Sequence, residues 1–126
     1  MAAKGRILVV EDELFLRDIY VETLTGAGYE VVAAEDGAIG WARLQEGGYD
    51  LVLMDVMLPE KDGRQLILDL QSHPPQQPIK RIAYMTNLSH EGIKNEGEEL
   101  GVVGYMIKSD MTPDQFLEKV EELLAK

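Results

Sequence analysis

The sequence predicts an α/β fold: a five-stranded parallel sheet, doubly wound, with helices on both faces. Three observations carry this expectation. Short apolar runs of strand length alternate along the chain with longer segments in which apolar residues recur every three or four positions. The short runs are almost continuously apolar, as in strands buried on both faces. Crossovers between parallel strands are right-handed, so a chain that alternates in this way lays helices on both sides of one sheet.

Taken in order, Arg6–Val10 is the first strand. Glu13–Ala27 then sets Leu16, Ile19, Tyr20, Thr23, Leu24 and Ala27 on one face of an amphipathic helix, and Gly28 offers the left-handed turn that stops it. Tyr29–Ala34 is the second strand, Asp36-Gly37 a turn, and Ala38–Leu44 a short helix ending near Gly47-Gly48. Trp41, on that helix, is expected to be a core or half-buried packing residue and not a functional one. Leu51–Met54 is the third strand. Val56–Lys61, which contains Pro59, stays open until Asp62-Gly63 begins a helix bearing Leu66, Ile67 and Leu70.

Arg81–Met85 and Val102–Ile107 are the fourth and fifth strands. Between them Glu91–Leu100 reads as a weak helix. Gly92 and Gly97 each cost up to ~1 kcal/mol relative to alanine, and few apolar anchors stand beside Ile93 and Leu100, so local instability is expected there. The last helix has the clearest start. Thr112-Pro113-Asp114-Gln115 supplies a capping hydroxyl, a proline at the first helical position and a glutamine to complete a capping box. Its apolar face is Phe116, Leu117, Val120, Leu123 and Leu124.

A length of 126 residues suits a single domain spanning 1–126 with a real core. The chain has no cysteine, which excludes disulfides, a thiol nucleophile and a cysteine metal site. A net charge of −11 argues against direct nucleic-acid binding, which needs clustered Lys and Arg. No apolar stretch approaches the ~20 residues of a membrane span, and the N-terminal run is too short for a signal peptide. A cytoplasmic protein is the expectation.

Four of the apolar runs end in residues suited to phosphate or metal chemistry: Glu11-Asp12, Asp55, Thr86 and Lys108. In a doubly wound sheet, ligands bind at the carboxyl ends of the strands, near the point where strand order reverses. Glu11 and Asp12 would point to opposite faces of a regular strand, but where the chain turns both can approach one ion. Three carboxylates without His or Cys favour a hard cation such as Mg²⁺. Without it, mutual repulsion is expected to raise at least one of their pKa values. Asp12 has an alternative reading as the cap of the first helix. Lys108 reads either as a solvated lysine or as a counter-ion for phosphoryl oxygens. Together these groups suit phosphoryl transfer to a carboxylate. No P-loop or kinase catalytic-loop pattern is present.

With these residues in place, the chain resembles the response-regulator receiver domain of two-component signalling. Val9-Val10-Glu11-Asp12-Glu13, Asp36-Gly37, Tyr49-Asp50, Leu53-Met54-Asp55-Val56-Met57-Leu58-Pro59, Asp62-Gly63, Thr86 and Gly104-Tyr105-Met106-Ile107-Lys108 carry the resemblance, in the family's order and spacing. It implies the flavodoxin-like, CheY-like strand order 2-1-3-4-5. It implies that Asp55 is the phosphoacceptor, taking a phosphoryl group from a histidine kinase or phosphotransfer protein. Mg²⁺ would be held by Asp12 and Asp55 directly, by Glu11 through water and by the backbone carbonyl of Met57. Lys108 and Thr86 would bind phosphoryl oxygens, and Thr86 would pass the signal to Tyr105, the aromatic switch residue. The surface of the fourth helix, fifth strand and last helix would then change for an output protein, which the sequence does not identify.

The chain departs from the family in two places. Ser109 stands where a proline usually follows the lysine, and a cis bond before a non-proline residue costs about 2.5–4 kcal/mol. A trans Lys108–Ser109 bond is expected, or else a strained cis one. Asn87 stands where a small residue usually follows the threonine, close enough to crowd the phosphoryl group or to position water.

Three other functions compete with a signalling switch that is not a turnover enzyme. A small phosphatase with an aspartyl-phosphate intermediate would need a second acid two residues after Asp55, where Met57 stands. A flavodoxin-type electron carrier would need a glycine-rich phosphate loop where Glu11-Asp12-Glu13 would repel phosphate. A degenerate receiver serving as a scaffold sits poorly with an intact set of acids.

Overall fold

The computed structural model describes residues 3–58, 62–87, 100–108 and 111–126. Among them the strands are β1 (Arg6–Val10), β2 (Glu30–Ala34), β3 (Leu51–Asp55), β4 (Ile82–Thr86) and β5 (Gly104–Ile107). The helices are α1 (Leu14–Gly26), α2 (Gly37–Glu46), α3 (Gly63–Ser72) and, at the C-terminus, α4 (Pro113–Leu124). The expected weak helix at Glu91–Leu100 lies outside the described residues except for Leu100. The Lys108–Ser109 bond also lies outside them, because Ser109 is not described.

The strands pair in parallel in the order β2-β1-β3-β4-β5, the doubly wound arrangement expected. Successive side chains along a strand point to opposite faces. Ile7, Val9, Leu53, Met85 and Met106 therefore meet Tyr20 and Leu24 of α1 and Phe116 and Val120 of α4. On the other face Leu8, Val10, Val52, Met54 and Tyr84 meet Leu44 of α2 and Leu66 and Ile67 of α3, with Trp41 half-buried at the margin. Every residue of β3 is buried. The rings of Tyr20 and Phe116 stack with centroids 4.4 Å apart and tie α1 to α4.

Side chains set the helix starts. Asp36 accepts from the Ile39 amide at 2.8 Å and begins α2 earlier than the apolar pattern suggested. Thr112 and Gln115 form the expected capping box. The first helix is capped by Glu13, whose Oε2 accepts from the Leu16 amide at 2.7 Å, and not by Asp12. Asp12 is left available for other work. Gly28, at φ 102, takes the left-handed conformation after α1.

The N-terminal edge of the sheet is pinned by charge. The Arg6 amide donates to Asp50 at 2.8 Å, its guanidinium pairs with Glu30 at 2.7 Å, and it lies over the Tyr49 ring. The Arg6 amide first, and then Lys80, holds the Asp50 carboxyl below its ordinary range. This gives the Tyr49-Asp50 pair a physical role.

At the opposite edge the ladder runs further than the apolar pattern suggested. β3 includes Asp55 and β4 includes Thr86, whereas β5 is shorter than expected. Gly63 secures this edge by close approach. A Cβ there would lie 2.7 Å from the Asp55 carbonyl oxygen and 3.2 Å from Met54 Cγ. Gly63→Ala is therefore expected to lower stability by about 1–3 kcal/mol through overpacking, read as a lower urea midpoint with an unchanged denaturant slope.

Candidate functional site

The chain leaves β1 for β2 on one side of the sheet and returns to β3 on the other, so strand order reverses between β1 and β3. The crevice beyond their carboxyl ends is where such sheets bind ligands. Glu11 and Asp12 follow β1, and Asp55 ends β3. One carboxylate oxygen from each lies within 4.8 Å of the others, with Glu11 and Asp55 buried and Asp12 exposed. The turn after β1 thus turns two sequence neighbours toward one point.

Lys108 reaches into this cluster from the end of β5. Its Nζ donates to Glu11 Oε1 at 2.6 Å and to Asp55 Oδ2 at 2.5 Å. The other oxygen of each acid takes a backbone amide: Met57 donates to Asp55 Oδ1 at 3.0 Å, and Glu13 to Glu11 Oε2 at 3.3 Å. Lys108 is a buried counter-ion here, not a solvated lysine.

Burial is the main force on the Glu11 carboxyl and pushes it up to about 7, from an ordinary 4.5. Lys108 opposes that rise, and the Asp55 charge adds a smaller push upward. Repulsion between the acids therefore contributes as expected, but desolvation dominates. For Lys108, burial pulls downward, yet its hydrogen bonds and charge contacts with Asp55 and Glu11 outweigh it and raise its pKa. The ammonium stays protonated. Tyr20 lies in the same field; burial first, and then the Glu11 charge, pushes its phenol up to about 12.

This donor set fits a hard divalent cation. It offers carboxylate oxygens, and three acids against one lysine leave two formal negative charges. Even with an ammonium at 2.6 Å, burial raises the Glu11 carboxyl, so further positive charge in the pocket would favour its ionised form.

The other candidates line the same edge. Thr86 is fully buried at the end of β4 and pairs in register with Ile107, the residue before Lys108. Met57 joins the site through its backbone, while its side chain is 62% exposed. Asn87 is exposed. Tyr105 lies away from the acids. It pairs in register with Tyr84, two residues before Thr86, and lines an open groove of about 410 Å³ with Met106, Ile107, Met111, Gln115 and Lys119. One further residue carries no motif: Arg17, whose Nη1 donates to the carbonyls of Glu11 at 3.0 Å and Asp12 at 3.4 Å. A basic residue one turn into the helix after three acids is its only trace in the sequence.

Comparison with known proteins shows the family. The family model for the response regulator receiver domain matches residues 7–121. The transcriptional regulatory protein CusR of Escherichia coli K12 is 32% identical over 103 residues, covering 82% of this chain and 44% of its own length. A probable transcriptional regulatory protein of a Picosynechococcus strain is 36% identical over 115 residues, covering 86% of this chain and 45% of its own length. The chain thus spans less than half the length of these relatives. Among solved structures, the chemotaxis response regulator CheY4 of Vibrio cholerae superposes with a TM-score of 0.84 at 26% identity, covering 98% of this chain and 99% of that one. A CheY-like receiver domain protein from Methanospirillum hungatei JF-1 gives 0.83 at 26% identity, covering 99% and 95%. The chain belongs to the response regulator receiver domain family, the signalling switches of two-component systems.

Proposed function

We propose that this chain is a phosphoacceptor switch in which Asp55 takes the phosphoryl group. The observation that carries the reading is the seating of Asp55. It ends the buried central strand, its two oxygens are separately oriented by Lys108 and the Met57 amide, and two further acids stand beside it. An Asp55 oxygen attacks the phosphorus of a phosphohistidine on a histidine kinase or phosphotransfer protein. A phosphorus–oxygen bond forms as the phosphorus–nitrogen bond breaks, and the imidazole leaves.

Glu11, Asp12, Asp55 and the Met57 carbonyl would hold Mg²⁺, with Glu11 acting through water. The ion would offset the charge on the phosphoryl oxygens against three carboxylates. Lys108 moves its hydrogen bond from Asp55 to a phosphoryl oxygen, and the Thr86 hydroxyl donates to another. Thr86 and Tyr84 lie on the strand paired with β5, so movement of Thr86 reaches Tyr105 through one strand pairing. The groove beside Tyr105, together with the segment preceding residue 100 and α4, is the surface an output protein would read. Residues 1–126 act as one receiver domain. It is a switch rather than a turnover enzyme, and its partner contacts are made by protein, not nucleic acid.

The direct test is incubation with Mg²⁺ and acetyl phosphate, followed by intact mass. One base-labile phosphoryl adduct is expected, absent in Asp55→Asn and without Mg²⁺. No adduct, together with no beryllofluoride binding, would leave a scaffold as the better description.

A second expectation concerns pH in the metal-free chain. The folded pKa of Glu11, about 7, lies above its ordinary 4.5. The stability it contributes is therefore full below about pH 4.5 and is lost as pH rises through about 7. Urea denaturation in chelator should show lower stability at pH 8 than at pH 5, and Glu11→Gln should flatten that difference. An equal difference in Glu11→Gln assigns the effect to another group.

A further inference from the structure

Glu11 and Asp12 are neighbours in sequence, yet their carboxylate oxygens converge with one from Asp55 within 4.8 Å. An extended chain would send them to opposite faces, so the backbone must turn between them and be held in that turn. The carbonyl of Glu11 belongs to the peptide plane before the Asp12 Cα, and the carbonyl of Asp12 to the plane after it. Peptide units are rigid, so fixing the direction of both carbonyls fixes φ and ψ of Asp12. One nitrogen, Arg17 Nη1, contacts both, at 3.0 Å and 3.4 Å. The base of the arginine is fixed in turn, because its amide donates to the Glu13 carbonyl at 2.9 Å within the first turn of α1. Asp12 is also the exposed member of the three acids, the one least restrained by packing.

We propose that Arg17 is a positioning residue for the cation site, holding the turn after β1 so that Asp12 and Glu11 face Asp55. The proposal rests on the reading of the acid cluster as a Mg²⁺ site. Its effect has the opposite sign from a simple charge effect. A guanidinium near a divalent site repels the cation, so removing it should tighten Mg²⁺ binding if charge alone mattered. If Arg17 fixes the turn, removing it loosens binding, on the scale of roughly ten-fold seen when groups that orient metal ligands are lost.

The experiment is calorimetric titration of Mg²⁺ into the full chain, Arg17→Met and Arg17→Lys, with urea denaturation in chelator to confirm that each is folded. Amide NMR spectra of the metal-free forms are recorded alongside. Arg17→Met should bind about ten-fold more weakly, with shifts confined to the amides of residues 11–14. Arg17→Lys, which keeps a charge and a donor on a shorter stem, should recover part of the affinity. A loss of stability with unchanged or tighter Mg²⁺ affinity overturns the proposal. If Arg17→Met does not fold, wild-type affinity in Arg17→Lys overturns it. No Mg²⁺ binding by the unaltered chain would defeat the cation site and the role of Arg17 together, whereas equal binding by the unaltered chain and Arg17→Met defeats only the latter.

Discussion

A single ammonium between two buried carboxylates is the constraint on which this structure turns. Glu11 and Asp55 are held out of water at the ends of adjacent strands, and Lys108 bridges them from β5. Desolvating three charged groups is costly, and their attraction does not by itself make such a cluster a source of stability. The sheet tolerates it because the layers beneath are apolar and closely packed on both faces. The rise of Glu11 to about 7 is the mark of that tension. A pocket with spare negative charge and fixed oxygens is poised for a cation, and for the oxygens that a cation brings with it.

The two edges of the sheet are built on different terms. At the N-terminal edge, Arg6, Glu30, Asp50 and Lys80 match charge for charge, largely in contact with solvent, where such pairs are worth little individually but fix register. At the C-terminal edge the charges are buried and unequal. The first edge can stay still while the second changes partners, a division of labour suited to a switch.

Much of this was legible in the sequence, because strands buried on both faces announce themselves as apolar runs and their terminal residues stand out as polar exceptions. Glu11, Asp12, Asp55, Thr86 and Lys108 were visible for that reason. The bridging contact of Lys108 was not, since a lysine after a strand is ordinarily solvated and only a partner 97 residues away reveals otherwise. The choice of Glu13 over Asp12 as the cap of α1 was equally hidden. Both side chains can accept an amide proton, and only the course of the turn decides. Arg17 is silent in the sequence because its partners are backbone carbonyls, which carry no sequence signal. The strand order came with the family resemblance, because right-handed crossovers do not by themselves say on which side of β1 the third strand lies.

The span of the Lys108–Glu11 contact bears on how the molecule comes into being. Contacts between residues far apart in the chain require most of the loop-closure entropy to be offset first. Lys108 follows Glu11 by 97 residues and Asp55 by 53, so both acids precede their counter-ion in the order of synthesis. Among the described strands β5 is the last in the chain and delivers the lysine, and the Tyr20–Phe116 stack joins helices from opposite ends of the chain. The counter-ion contact thus joins the two ends of the chain, and a chain that has not yet placed β5 leaves Glu11 and Asp55 without their lysine.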